Sequence, residues 1–297
     1  MSGGAGRQLR KLIARGCIAM PGAFNASVAR LIERAGFDAC YVSGAGLANA
    51  TAGVPDIGLL SLEEVARLIT YICEAISIPA LADADTGFGD GAGNIARTVR
   101  EFERAGLAGM HIEDQEFPKR CGHLPGKRIV PADEMMEKIR IAATARRDGE
   151  FVIVARTDAR AVEGMESAID RARLYVKAGA DAIFPEALSS TAEFRNFARA
   201  LPAVPLMANM TEFGKSPLLS VKQLATMGYR MVIFPQTAFR VSMRAAENVL
   251  HDLHRRGSQA KWLERMQTRQ QLYDLLDYDP GNDAWPAPRR PRRKSRK

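Results

Sequence analysis

Residues 95–114 read I-A-R-T-V-R-E-F-E-R-A-G-L-A-G-M-H-I-E-D, and this one stretch holds a complete structural unit. Ile95, Val99 and Phe102 recur at helical spacing and form the apolar stripe of a packed helix. Ala105-Gly106 ends that helix, because glycine just past the last turn adopts the left-handed stop without a Cβ penalty. Ala108 to Ile112 is then an apolar run of strand length that finishes in two carboxylates, Glu113 and Asp114. The unit is therefore helix, glycine stop, buried strand and polar strand end, in that order.

The same order repeats outward in both directions. Strand-length runs occur at Cys17 to Met20, Ala39 to Val42, Ile78 to Ala82, Ala108 to Ile112, Phe151 to Ala155, Ala180 to Phe184, Pro205 to Ala208 and Met231 to Phe234, eight in all. Helical stripes lie between most of them and lead to Ala35-Gly36, Ala178-Gly179 and Gly228, while Ser61 with Glu64 makes a capping box. Residues 1–16 read as an amphipathic lead-in helix around Leu9, Leu12 and Ile13. Near-continuous apolar strands alternating with helices are parallel strands covered on both faces, and the number eight favours a closed (β/α)8 barrel of the α/β class. An open doubly wound sheet is the alternative, since strand order cannot be read from one sequence. The expected layout is one domain over residues 1–285 followed by a basic, disordered tail over 286–297.

The polar residues sit at the ends of the runs: Pro21-Gly22, Ser43-Gly44-Ala45, Asp83 and Asp85, Glu113-Asp114, Arg156-Thr157-Asp158, Pro185-Glu186, Asn209-Met210-Thr211 and Pro235. In a barrel these points converge on one rim, where charged groups are costly unless paired or liganded, so they imply a cation or a charged ligand. Two connections are long, the glycine-rich 83–93 and the segment 113–131, as binding loops and lids tend to be.

Composition narrows the function classes. The chain of 297 residues is 46% hydrophobic, enough for a large core. No apolar run approaches the roughly 20 residues that span a bilayer, and no signal-peptide stretch opens the chain, so a soluble cytoplasmic protein without a membrane partner is expected. The net charge is +8, but Arg289, Arg290, Arg292, Arg293, Lys294, Arg296 and Lys297 supply seven of those charges, so the body is near neutral and nucleic acid is not the expected partner. The four cysteines lack C-x-x-C spacing, which argues against a zinc site or a disulfide framework.

Asp83 and Asp85 are spaced by two and point the same way in extended backbone. With Glu113 and Glu186 from other strand ends, such hard oxygens suit Mg²⁺ or Mn²⁺, the plainer reading of the pair being loop or cap aspartates. Cys121 lies among Lys119, Arg120 and His123, a setting expected to stabilise thiolate near neutral pH and to make the residue a nucleophile or a general acid/base. An incidental loop cysteine is the simpler alternative. Arg156, Arg240 and Arg269 are candidate carboxylate clamps. Gly44-x-Gly46 lacks the third glycine of a dinucleotide fingerprint, Gly214-Lys215-Ser216 lacks the upstream glycine of a phosphate loop, and His111-x-Glu113 lacks the cysteine pair of a zinc deaminase.

Taken together, K-R-C-G-H-L-P-G-K (119–127), D-A-D-T-G-F-G, H-I-E-D-Q, V-A-R-T-D, F-P-E-A and N-M-T-E-F-G resemble, in order, the isocitrate lyase and phosphoenolpyruvate mutase superfamily over residues 15–275. F-R-V-S-M-R-A-A-E (239–247) and M-Q-T-R-Q-Q-L-Y (266–273) favour its 2-methylisocitrate lyase family over the C–P bond mutases. The resemblance implies a phosphoenolpyruvate mutase-like barrel with exchanged C-terminal helices in a homotetramer. It also implies Mg²⁺-dependent cleavage of a 2-hydroxy di- or tricarboxylate, 2-methylisocitrate, to pyruvate and succinate. By the resemblance, Ser43, Gly44, Ala45, Cys121, Gly122, Arg156, Glu186, Asn209, Met210, Thr211, Arg240 and Arg269 contact substrate, and His123 beside them in the cysteine loop is a further candidate. Asp83, Asp85 and Glu113 are on the metal side, Cys121 is the general acid and Tyr41 a base for the hydroxyl proton. The loop reads C-G-H-L-P-G-K where that family tends to have C-G-H-R-P-N-K, and Pro118 is reminiscent of the dimethylmalate lyase and oxaloacetate hydrolase branches, which stand as alternatives. A non-catalytic barrel binding protein is the alternative from a different class.

Overall fold

A computed structural model describes residues 4–89, 91–281 and 285. Eight strands follow the eight apolar runs: β1 Ile18–Ala23, β2 Cys40–Val42, β3 Ala80–Asp83, β4 Gly109–Glu113, β5 Val152–Thr157, β6 Ala182–Pro185, β7 Met207–Asn209 and β8 Met231–Phe234. All pairs are parallel in the order β6-β5-β4-β3-β2-β1-β8-β7. A parallel bridge between Ile183 and Leu206 joins β6 to β7, so the sheet comes round nearly closed on itself as the expected barrel.

Several strands run past the apolar run into the polar residues. Asp83, Glu113 and Arg156 lie on strands rather than after them, paired in register as Asp83 with His111 and Glu113 with Arg156. A polar side chain does not end a strand while the neighbouring backbone still offers its ladder bonds.

Alternation sorts each strand into two packing layers. Ala80, Ala82, Met110, Ile112, Ile153, Ala155 and Ile183 face the surrounding helices. Tyr41, Leu81, Val152, Val154, Phe184, Met207, Met231 and Ile233 fill the barrel together with Leu9 and Ile13 of the helix Ala5–Arg15. The lead-in helix thus supplies part of the barrel's interior, which its amphipathic pattern alone did not reveal. Gly36, Gly106, Gly179 and Gly228 all have positive φ at helix ends, and the Ser61/Glu64 capping box forms as expected.

The chain divides into two compact units, the first running from the N-terminus to Arg240 and the second from Val241 onward. The helix Thr237–Arg256 continues into the second unit, which also holds the 3₁₀ segment Ala260–Arg265 and the helix Arg269–Leu276. In it Trp262 Nε1 donates to Asp252 at 3.2 Å, and Thr268 with Gln271 caps the last helix. The tail over 286–297 lies outside the described residues. No helix among the described residues is long and apolar enough to cross a membrane.

Candidate active site

Two residues beyond each barrel-filling side chain, the next inward position is polar. Asp83 follows Leu81, Glu113 follows His111, Arg156 follows Val154, Glu186 follows Phe184 and Asn209 follows Met207. Strand parity therefore delivers these groups to one mouth of the barrel.

On one side stand the aspartates. Asp83 Oδ1 accepts the Asp85 N–H at 2.9 Å and lies 3.6 Å from His111 Nε2. Asp85 takes a left-handed backbone, φ 48°. Burial pushes both carboxyls up, against the pull of Lys119. That lysine is itself buried; its Nζ sits 2.6 Å from Asp85 Oδ1 and also pairs with Asp56. Although burial opposes its charge, Asp85 and Asp56 outweigh that and hold its pKa well above the ordinary value. Glu113 is also raised by burial; its Oε2 lies 3.2 Å from Arg156, while Oε1 is buried with no hydrogen-bond partner. Among the described residues no three His, Cys, Asp or Glu side chains gather into a group that would hold a metal by themselves. Asp83, Asp85 and Glu113 line one side of the mouth without closing on one point.

The other side is built on Arg156, whose guanidinium donates to both Asp158 oxygens, at 2.9 and 3.3 Å, and lies over the Phe184 ring. Asp158 is fully buried; burial would raise its pKa, but Arg156 and Lys127 outweigh this and hold it low. Glu186 behaves likewise, with Arg156 and His123 overriding its burial. It accepts from Asn209 Nδ2 at 3.3 and 3.4 Å, and Asn209 Oδ1 is buried without a partner.

The cysteine loop folds back onto this floor. A Cβ on Gly122 would lie 2.4 Å from Glu186 Cγ and 2.5 Å from Arg156 Nη2, so only glycine permits this approach. His123 Nε2 lies 2.8 Å from Glu186 Oε1, and its Nδ1 accepts the Lys215 N–H at 2.9 Å, tying the loop to the segment after β7. Lys127 Nζ reaches Asp158 Oδ1 at 2.5 Å. Cys121 is exposed, yet partial burial of its sulfur pushes the thiol up, and the Glu186 carboxylate adds to this. The expected thiolate near neutral pH is thus corrected. Lys119 spends its charge on Asp56 and Asp85 and His123 faces Glu186, so two of the three basic neighbours in sequence are turned to carboxylates rather than to the sulfur.

Tyr41 is corrected too. Its phenol is buried 2.8 Å from His111 Nε2, and burial followed by the nearby Asp83 raises its pKa well above the ordinary value, which disfavours the phenolate a base requires. Burial pushes His111 down to about 3, so the imidazole is neutral. Ser43 Oγ caps the next turn by accepting the Gly46 N–H at 3.2 Å. Gly44 leaves only 3.0 Å between a hypothetical Cβ and Asp83 Oδ2, and half-buried Ala45 follows it. Met210 is buried, with its sulfur bonded by the Leu219 N–H, and Thr211 is half-buried beside it. Arg240 lies over the exposed Phe213 ring and 3.6 Å from Glu212, at the segment that follows Thr211. Arg269 is the first residue of the last helix, in the second unit. Sequence reasoning named Gln115 only inside a motif, Asp158 only as one strand-end carboxylate among several, and gave Asp56 and Lys127 no role. Nothing local marks them, since their partners come from other strand ends.

Comparison with known proteins agrees with this fold. The family model described as phosphoenolpyruvate phosphomutase matches residues 9–254. A 2-methylisocitrate lyase of Aeropyrum pernix is 52% identical over 274 residues, 92% of this chain and 87% of that protein. A crystal structure of 2,3-dimethylmalate lyase superposes with a TM-score of 0.87 at 36% identity, covering 91% of each chain. Phosphonopyruvate hydrolase in complex with oxalate and Mg²⁺ superposes with a TM-score of 0.83 at 31% identity, over 91% of this chain and 94% of that one.

Proposed function

Since the chain belongs to the phosphoenolpyruvate phosphomutase family, we propose that it is a carbon–carbon bond lyase that cleaves 2-methylisocitrate to pyruvate and succinate. The observation that carries the reading is the close approach of Gly122 to Arg156 and Glu186, which seats the residue next to Cys121 on the charged floor of the mouth.

Mg²⁺ fits the donor set at Asp83 and Asp85, because this ion needs only one or two protein carboxylates and fills its shell with waters and substrate oxygens. The buried, unpartnered Glu113 Oε1 lies in reserve on the same side, and Mn²⁺ has the same ligand preference. When bound, such an ion supplies positive charge to the oxygen that becomes the ketone of pyruvate.

The chain's own groups do the rest. The substrate hydroxyl passes its proton to a carboxylate on the aspartate side of the mouth, its oxygen becomes the ketone, and the adjacent carbon–carbon bond breaks. The bonding pair passes to the carbon beside a carboxylate, giving an aci-carboxylate. Arg156, Asn209 and Thr211 stabilise that charge, and Cys121 delivers a proton to the carbon to complete succinate. A thiol held up by burial carries the proton this step requires. His123, Ser43, Gly44 and Ala45 orient the substrate, and Arg240 adds a carboxylate contact. The enzyme works as a cytoplasmic homotetramer. A second substrate, 2,3-dimethylmalate, is favoured by one observation, the apolar Leu124 that stands exposed at the loop tip. Incubation with 2-methylisocitrate, isocitrate and 2,3-dimethylmalate, with pyruvate, glyoxylate and succinate measured, separates the readings. Cleavage of 2,3-dimethylmalate alone would replace the first with the second.

A further inference from the structure

We propose that Gln115 and Lys127 are positioning residues for Cys121, each clamping the backbone on one side of it. The proposal rests on the reading of Cys121 as the proton donor. Gln115 is 1% exposed, and its side-chain amide spends both polar groups on one residue: Nε2 donates to the Arg120 carbonyl and Oε1 accepts the Arg120 N–H, each at 2.9 Å. A side chain bonded in this way acts as a strand partner for Arg120 and fixes the direction in which the backbone enters Cys121.

Lys127 does the same where the backbone leaves. Its buried Nζ donates to the Gly122 carbonyl and to Asp158 Oδ1, both at 2.5 Å. Asp158 is anchored in turn by Arg156 and, through its own N–H, by Asp114 at 2.8 Å. Between the two clamps the Cys121 carbonyl accepts the Leu124 N–H at 2.9 Å, so the turn is tight. Both clamps are rooted in the barrel. Gln115 lies two residues past β4 and bridges Ile129 at the base of the loop, and Asp158 directly follows β5. The sulfur of an exposed loop cysteine would otherwise sweep a wide arc, and a proton donor about 1 Å out of place loses roughly 100-fold in rate.

Three variants test this. Gln115→Leu keeps the bulk and removes both bonds, Gln115→Glu keeps the acceptor for the Arg120 N–H, and Lys127→Met keeps the aliphatic stem. Three readings are taken on the full chain: the iodoacetamide labelling rate of Cys121 against pH, followed on its own peptide by mass spectrometry; amide exchange over 119–124; and kcat and KM for 2-methylisocitrate. Gln115→Leu is expected to raise labelling about tenfold, alter its pH profile and raise exchange over 119–124 alone. It should lower kcat about 10- to 100-fold with KM within about threefold, and Gln115→Glu should recover part of kcat. Lys127→Met should act in the same direction, and if it fails to fold, Gln115→Leu decides. Parental labelling and exchange in Gln115→Leu would overturn the proposal, as would exchange that rises throughout the barrel. Labelling and exchange need no substrate, so an inactive parent would remove the lyase reading while the clamp is still judged.

Discussion

Replacing Gly122 with alanine places one methyl group where the loop meets the floor. Its carbon would stand 2.4 Å from Glu186 Cγ, 2.5 Å from Arg156 Nη2 and 2.7 Å from Glu186 Cδ. Ordinary carbon contacts begin about 1 Å further out. Neither partner can yield cheaply, because Glu186 is held by Asn209 and His123, and Arg156 by Asp158 and Glu113. The loop must therefore withdraw, carrying Cys121 about 1 Å from its place. A misplacement of that size costs roughly 100-fold in rate, or about 2.7 kcal/mol of transition-state stabilisation. The assay is steady-state pyruvate formation from 2-methylisocitrate beside a thermal melt. The expected result is kcat down about 100-fold with the melting temperature within a few degrees of the parent, since the changed contact lies at the mouth and not in the core. Parental kcat in Gly122→Ala would refute the docking of the loop as the source of activity.

Cys121→Ser should abolish cleavage, because the poorly acidic hydroxyl cannot replace the thiol as donor, while substrate binding followed by calorimetry stays near parental. EDTA should stop turnover and excess Mg²⁺ restore it, and a rate indifferent to both would remove the ion from the site. Asp158→Asn leaves Lys127 and Arg156 facing a neutral amide, and about 3–5 kcal/mol of stability should be lost in urea denaturation at pH 7. The pH dependence carries a sign. Asp158 is held below its unfolded value, so its contribution is present above the unfolded pKa and is lost as pH falls through the folded one. The variant should therefore show a shallower acid limb than the parent, and equal limbs would show that Asp158 contributes no such linkage.

The barrel was legible because its signals are local. A helical stripe, a glycine stop and an apolar run recur without help from distant residues, and parity then places Asp83, Glu113, Arg156, Glu186 and Asn209 on one rim. What stayed hidden depends on chain fold-back. Lys119 looked like a cation beside Cys121, but its charge is spent on Asp56 and Asp85, one of them 63 positions away. Tyr41 looked like a base, whereas the burial that only the fold creates disfavours its phenolate. Gln115 and Lys127 carried no chemistry in sequence, since each acts on loop backbone only after the loop has closed on itself.

The central claim is tested most directly by incubating the purified protein with 2-methylisocitrate and Mg²⁺ in D₂O and analysing the products by NMR. The account predicts pyruvate and succinate in equal amounts, with one solvent-derived deuterium per succinate in the protein with Cys121 intact and no product with Cys121→Ser. Undiminished succinate from Cys121→Ser, or no cleavage by the parent, would contradict it.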